Sequence, residues 1–569
     1  MIYTDGMAYT FPDGGKLIPF DSLRKGCMAI MGKTIEEAGM KSNPTRFWWT
    51  MVALGWVFDF LFWKKTPGIN FAIYAVLCIS VGILVLRADG HHPARKSLFL
   101  LPLIAFFAVM TFIRLEPMTV FLSVALTLFF MGLFAISFLG GRWPSYNLLD
   151  YLNGFLRLLG SMIARPLGFS AEMKRETASN GEQGEVKGRG ASKVWPVVRG
   201  ILIALPIVAI FATLLSSADV VFSQRLEDFI ELFKLEKLPE YIFRLVYILV
   251  GAYALAGVFL HAATQSKDEK LVGEEKSVIP MFLGFTESAI VLGSVTVLFA
   301  AFVFIQFQYF FGGQTNIQID GYTYSEYARR GFGELVTVAF FSLLLILSAS
   351  SVTRRETEIQ RRIFSGLEIG IVVLVVVMLV SAFQRLVLYE TAYGFSRLRT
   401  YTHVFMLWLA LLLVAVVALE IVHRERAFAL AALVASLGFT LSLGLMNVDG
   451  FIVRQNVDRA VQGEEFDATY LAGLSTDAVP ALAAAYQTQS LPVSVKEGVG
   501  AALACYASNQ NHDGDSLPWQ SFHFSRANAT RILSSLQTEL KEYQMDNGDW
   551  SYVALTPSGE EVRCTTFWD

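Results

Sequence analysis

Apolar runs of about 20 residues recur along this chain, each nearly free of charge and fenced by charged or Gly/Pro-containing segments. Such a run, folded as a helix, crosses a hydrocarbon layer about 30 Å thick, and within that layer a helix satisfies its own backbone polar groups. About eleven runs emerge. They lie near 47–63, 71–87, 98–113, 118–140, 195–217, 241–263, 280–305, 334–352, 363–385, 402–422 and 427–447. The second and third are short and the third begins around Pro102, so one of that pair is a candidate re-entrant segment.

Composition agrees. Hydrophobic residues make up 54% of the 569 and charged residues 17%, with a mean hydropathy of +0.49, which excludes an ordinary soluble domain. The 46 Phe and 10 Trp suit lipid-facing surfaces and interfacial belts. A net charge of -3 identifies no partner, and nothing points to nucleic acid. The first 46 residues are polar and basic, with no cleavable signal pattern, so the first span is expected to act as an uncleaved anchor.

Lys and Arg collect in alternate loops: Arg95 and Lys96, then 142–193, then Lys267 to Lys276, then "RRETEIQRR" at 354–362, then "HRER" at 423–426. The positive-inside rule makes these cytoplasmic, which puts the N-terminus inside and, after an odd number of spans, the C-terminus outside. Residues 145–163 set Leu148, Leu152, Phe155, Leu156, Leu159 and Ile163 along one helical stripe, the pattern of an amphipathic helix lying on the inner leaflet. Residues 171–193 have too little apolar content to pack and read as a flexible linker.

The expected architecture is therefore an all-α integral membrane protein. It comprises a cytoplasmic arm (1–46), a four-helix membrane group (47–140), an amphipathic helix with linker (141–194), a seven-helix membrane group (195–447) and a small, mainly helical extracytoplasmic C-terminal domain (448–569). Bundled helices dominate the last part, and "DWSYVALTPSGEEVRC" reads as a short hairpin. Cys505 and Cys564 share that domain, where an oxidising compartment permits a disulfide; two buried thiols are the alternative. No cysteine spacing suggests a metal, and no cofactor is expected.

Ionisable residues in or beside spans are costly and mark places to look for function. Asp59, Asp219, Arg244, Glu334, Arg385 and His403 all fall near the outer ends of spans. The functional reading is a polar outward-facing pocket for a solute or ion; the structural reading is interfacial snorkelling and helix-end ion pairs. Glu287, about two turns inside the cytoplasmic end of its span, is a candidate for proton or ion coupling. Two outer loops mix Arg with Tyr: Tyr327, Arg329 and Arg330 in one, Tyr393, Arg397 and Arg399 in the other. Arg forks with Tyr hydroxyls suit phosphate, carboxylate or sugar, and they equally suit the trim of a membrane interface. A third segment, "MNVDGFIVRQNVDRA", is expected to dock the C-terminal domain onto the spans.

Walker, HExxH and GxSxG motifs are absent from the sequence. At "YARRGFGEL", "YGFSRLRTYTHVFMLWLA", "NVDGFIVRQNVDRA" and "YLAGLSTDAVPAL" the chain resembles a family of bacterial multi-pass membrane proteins catalogued as a domain of unknown function. The resemblance implies a bacterial inner-membrane location and brings no reaction. The first expectation is transport of a small polar or anionic solute or an envelope precursor; the alternative is a non-enzymatic envelope sensor or assembly protein, and a third reading is an enzyme on lipid-linked sugars, with Asp219 and Glu334 as its acid and base.

Overall fold

The computed structural model describes residues 44–180, 238–267, 281–310, 332–422, 424–512, 517–547 and 552–564, with isolated positions between 204 and 225 and at 271. Ten long apolar helices are described: α1 Pro44–Phe62, α2 Ile69–Ala88, α3 Arg95–Ile113, α4 Pro117–Ile136, α6 Leu238–Thr264, α7 Phe285–Phe310, α8 Phe332–Val352, α9 Glu358–Tyr393, α10 Arg397–Ile421 and α11 Phe428–Met446. Between α4 and α6 lies α5, Leu148–Asn180. Among the described residues, nine of the ten are long and apolar enough to span a bilayer, and they coincide with nine of the runs read from the sequence. The remaining one, α1, carries Arg46 and Asp59 and three Trp, which lower its hydropathy. The expected span at 195–217 lies largely outside the described residues. Both α2 and α3 run as full-length helices. The chain is a helical membrane protein with multiple candidate spans.

Two compact units divide the chain. The smaller takes in residues 1–53, 82–92 and 161–267. Within it α6 and α5 touch at backbone distance, because a Cβ at Gly257 would stand 2.4 Å from the Met162 Cα. Ser161 Oγ lies 2.8 Å from His261 Nδ1 across the same contact.

The larger unit holds the remaining residues. One set of its connections meets the C-terminal region. The Ile69 N–H donates to the Phe522 carbonyl (3.0 Å), the Leu115 N–H to Asp477 (2.7 Å), and the Phe395 N–H to Asn456 (2.7 Å). The other set bonds within itself: Ala94 N–H to the Phe138 carbonyl (2.7 Å), Arg354 N–H to the Leu283 carbonyl (3.0 Å), and Arg355 to Glu420 (3.0 Å). Helix geometry thus sorts the connections into two faces, as alternation along successive spans requires.

Asn447 alone separates α11 from the next helix, α12 (Val448–Val461). Its left-handed backbone (φ 53°) turns the chain, and its side chain caps the Gly450 N–H (3.2 Å). Beyond lie α13 Ala468–Ala472, α14 Val479–Tyr486, α15 Val493–His512 and α16 Phe524–Ser535. Ala501, Ala502, Leu503 and Ala504 of α15 are buried in succession, so this helix is enclosed on all sides. Strands β1 Gln544–Asn547, β2 Tyr552–Leu555 and β3 Glu561–Cys564 form an antiparallel sheet in that order. The expected hairpin is β2–β3. The helix expected over 526–544 stops at Ser535, and a 3-10 turn, Glu539–Glu542, leads into β1, a strand just before the expected hairpin. A disulfide joins Cys505 on α15 to Cys564 on β3 (Cα–Cα 5.2 Å).

Candidate functional site

Glu116 ends the turn between α3 and α4 and precedes Pro117, the arrangement of an acidic N-cap followed by proline at the first helical position. Its carboxylate accepts the Met118 and Thr119 N–H groups (both 2.8 Å) and also the Tyr401 hydroxyl from α10. One helical turn before Tyr401, Arg397 grips the fully buried Asp449 of α12 with both arms of its guanidinium, Nε to Oδ1 at 2.8 Å and Nη2 to Oδ2 at 2.7 Å. Asp449 also accepts the Ser475 N–H (2.8 Å). Asp477, two residues on, accepts the Leu115 and Glu116 N–H groups (2.7 and 3.0 Å). Arg114 donates to the Gly444 carbonyl (2.9 Å), and the Tyr470 hydroxyl accepts the Arg397 N–H (2.9 Å).

The result is a buried polar junction tying α4, α10, α11 and α12 to the 470–477 turn. Arg397 is bidentate on Asp449 with Glu116 nearby, Arg114 is the cation beside Asp477, and backbone N–H donors supply the rest of the carboxylates' coordination. Burial raises the Asp477 carboxyl above its ordinary value despite the bond from Leu115. Burial also holds the Tyr506 hydroxyl well above the usual phenol range, so it stays a donor toward the Leu471 and Leu474 carbonyls (3.0 and 2.9 Å). Chemically this is a joint: its polar atoms are engaged with one another.

A second contact flanks it. Asn456 of α12 exchanges hydrogen bonds with the Phe395 backbone (2.7 and 3.0 Å), and Arg459 donates twice to the Thr391 carbonyl (3.1 and 2.7 Å). Gly394 makes this fit possible: its φ is +78°, and a Cβ there would meet Arg459 and Asn456 at 2.8 Å. The segment expected to dock the C-terminal domain therefore contacts the α9–α10 turn directly.

Of the candidate pocket residues, Arg397 alone among those described enters the junction, where it meets Asp449 of the expected docking segment. Arg399 lies 4.1 Å over the Tyr389 ring and donates to the Tyr393 and Gly394 carbonyls; the Tyr393 ring is exposed. His403 Nδ1 is 3.2 Å from Glu390 Oε2, a buried carboxylate on α9, and its ring packs 4.4 Å from Phe383. Arg385 is half-buried on α9, and Asp59 is buried in α1. Glu334 is exposed in the first turn of α8. Glu287 departs from expectation. Helix α7 begins at Phe285, not near 280, so Glu287 is an exposed first-turn residue that accepts the Gly284 N–H (2.8 Å). In the smaller unit, Asp219 is exposed and accepts the Phe222 N–H (3.2 Å), and Arg244 stands 6.0 Å from the Tyr241 ring centroid. Tyr327, Arg329 and Arg330 lie outside the described residues.

Sequence reasoning passed over Glu116, Glu390 and Asp477, and also Glu368 and Glu420, two buried acids inside apolar runs. Glu420 pairs with Arg355 (3.0 Å) and accepts the Ser365 hydroxyl (2.8 Å), and with Glu368 it lines a small cavity between α8, α9 and α10. An acid within an apolar run is itself the signal that would have found these two. Among the described residues no three His, Cys, Asp or Glu side chains gather as metal ligands.

A family model described as "Domain of unknown function (DUF4153)" matches residues 101–485. That stretch contains Glu116, Arg397, Tyr401, Asp449 and Asp477 and stops before Cys505, His523 and Cys564. No curated protein and no solved structure matches the chain.

Proposed function

The chain belongs to the DUF4153 family, whose description carries no activity, and from its geometry we propose a non-enzymatic sensor or assembly protein of a bacterial cytoplasmic membrane. In this reading the C-terminal domain binds an envelope component outside the cytoplasm, and the spans carry the event to the inner face. The observation that supports it is the Arg397–Asp449 pair with its flanking Glu116–Tyr401 and Asp477 contacts. A binding domain hung on a flexible tether cannot bias its membrane helices. One welded to three of them can, because a coupled response needs a continuous mechanical connection. The basic loops at 354–362 and 424–426 support placing the opposite face in the cytoplasm.

An antibody fragment raised against the C-terminal domain serves as a surrogate ligand. With full-length protein in nanodiscs, its binding should change amide exchange at the 353–357 connection, and Asp449→Asn should abolish that distant change while preserving binding. An effect confined to the domain in the wild-type protein would sink the proposal.

Transport of a small polar or anionic solute is the second reading, supported by Glu368 and Glu420, which line one cavity, and by the pairing of Glu420 with Arg355. Its test is flux into proteoliposomes across a panel of such solutes, with loss expected in Glu420→Gln.

A further inference from the structure

Residues 517–524, Leu-Pro-Trp-Gln-Ser-Phe-His-Phe, wear their side chains inside out. The polar Gln520, Ser521 and His523 are buried, while Leu517, Trp519, Phe522 and Phe524 are exposed. The contrast is large: Trp519 and Phe524 are 57% and 51% exposed, Ser521 and His523 2% and 5%. A segment facing water would adopt the opposite pattern, since apolar area gains by leaving water and unpaired polar groups lose. Four large apolar side chains on eight residues make a contiguous patch that needs a covering phase.

The depth of the patch is set by its attachments. The Phe522 carbonyl accepts the N–H of Ile69, the first residue of the apolar span α2. Gly68 allows this approach, because a Cβ there would fall 2.7 Å from that same carbonyl oxygen. On the other side His523 Nε2 sits 3.2 Å from the Thr111 carbonyl, in the last turn of α3. Trp519 lies 6.5 Å from Phe60, in the last turn of α1. Phe60 and Trp56 are themselves exposed on that helix, so the patch continues a band of exposed apolar side chains. Three helix ends thus hold the segment at the boundary of the hydrocarbon, the level where Trp and Phe are favoured.

We propose that residues 517–524 are a membrane anchor of the C-terminal domain, with Leu517, Trp519, Phe522 and Phe524 entering the interfacial layer of the leaflet on that side. The partner is the lipid surface. The buried polar residues turn into the protein, His523 toward the end of α3, and the anchor fixes the domain's tilt against the bilayer independently of the Arg397 junction.

The test uses the full chain in liposomes, with Cys27 replaced by Ser and the buried Cys78 and the disulfide left intact. An environment-sensitive fluorophore is attached at Trp519→Cys, at Leu517→Cys as an independent site, and at the exposed Lys541→Cys as a water-facing control. The expected result at 517 and 519 is a blue-shifted emission that loses intensity to lipids bearing a shallow doxyl quencher, with no such loss at 541. Emission like that of the control overturns the proposal. So does a blue shift without lipid quenching, which would mean that a protein surface covers the patch. Failure of Trp519→Cys to fold leaves the Leu517 site to decide.

Discussion

His523 sits where two opposite acid responses meet. Burial, with Arg526 nearby, pushes its imidazole down from 6.5 to about 4, so the folded chain holds it neutral while an unfolded chain protonates it below its ordinary value. Stability contributed by this residue is complete above about pH 6.5 and falls as pH drops toward 4, roughly 2 kcal/mol by pH 5 at 1.36 kcal/mol per pH unit. Asp477 has the reverse sign. Its carboxyl is raised by burial, so the folded state binds the proton more readily and gains relative stability as pH falls through the raised value. The two partly cancel in acid. Replacing His523 by Gln should therefore flatten or invert the loss of thermal stability between pH 7 and pH 5, read by melting the protein in nanodiscs across that range. An unchanged acid slope would show that His523 does not titrate on unfolding. Nothing in the sequence marked this residue, because its environment is made by the Thr111 carbonyl, 412 positions away.

Periodicity and length belong to the scale of single elements, and there the reading was good. Nine runs found by hydropathy are nine helices, since a lipid-facing span leaves its composition in one uninterrupted stretch. The stripe on α5 was equally visible: Leu148, Leu152, Leu156, Leu159 and Ile163 are exposed, and Phe155 turns away to stack on Phe129 at 5.2 Å. Partners across elements were not visible. Arg397 was singled out, but its grip on Asp449 is created by the turn at Asn447. Glu287 was placed about one turn too deep because residues 281–284 extend the apolar run without being helical. The Cys505–Cys564 bond joins two elements of different type and closes a loop with a separation of 59 residues. By chain entropy such a closure is worth roughly 4 kcal/mol. Replacing both cysteines by Ala should speed proteolysis between 493 and 564 while the spans remain protected. Equal lability throughout would contradict a contribution confined to the C-terminal region.

Across the whole molecule, the proposed sidedness rests on one set of contacts and on loop charge, and it can be tested without knowing the function. The turns at Gly68, Leu115 and Phe395 all bond to the region beyond Asn447, whereas Arg354 and Arg355 bond to Leu283 and Glu420. The basic residues Arg354, Arg355, Arg361 and Arg362 belong to the second group, the one that the positive-inside rule retains in the cytoplasm. With Cys27 replaced by Ser, a cysteine at the exposed Lys541 should react with a membrane-impermeant maleimide in intact cells. One at the exposed Glu358 should react only after permeabilisation. Labelling of both from outside would break the assignment of faces, and the reverse pattern would invert it. Inversion would place the Cys505–Cys564 disulfide in a reducing compartment, where such bonds rarely persist. Loop charge and disulfide chemistry thus favour the same orientation for independent reasons, the first acting during insertion and the second on the folded domain.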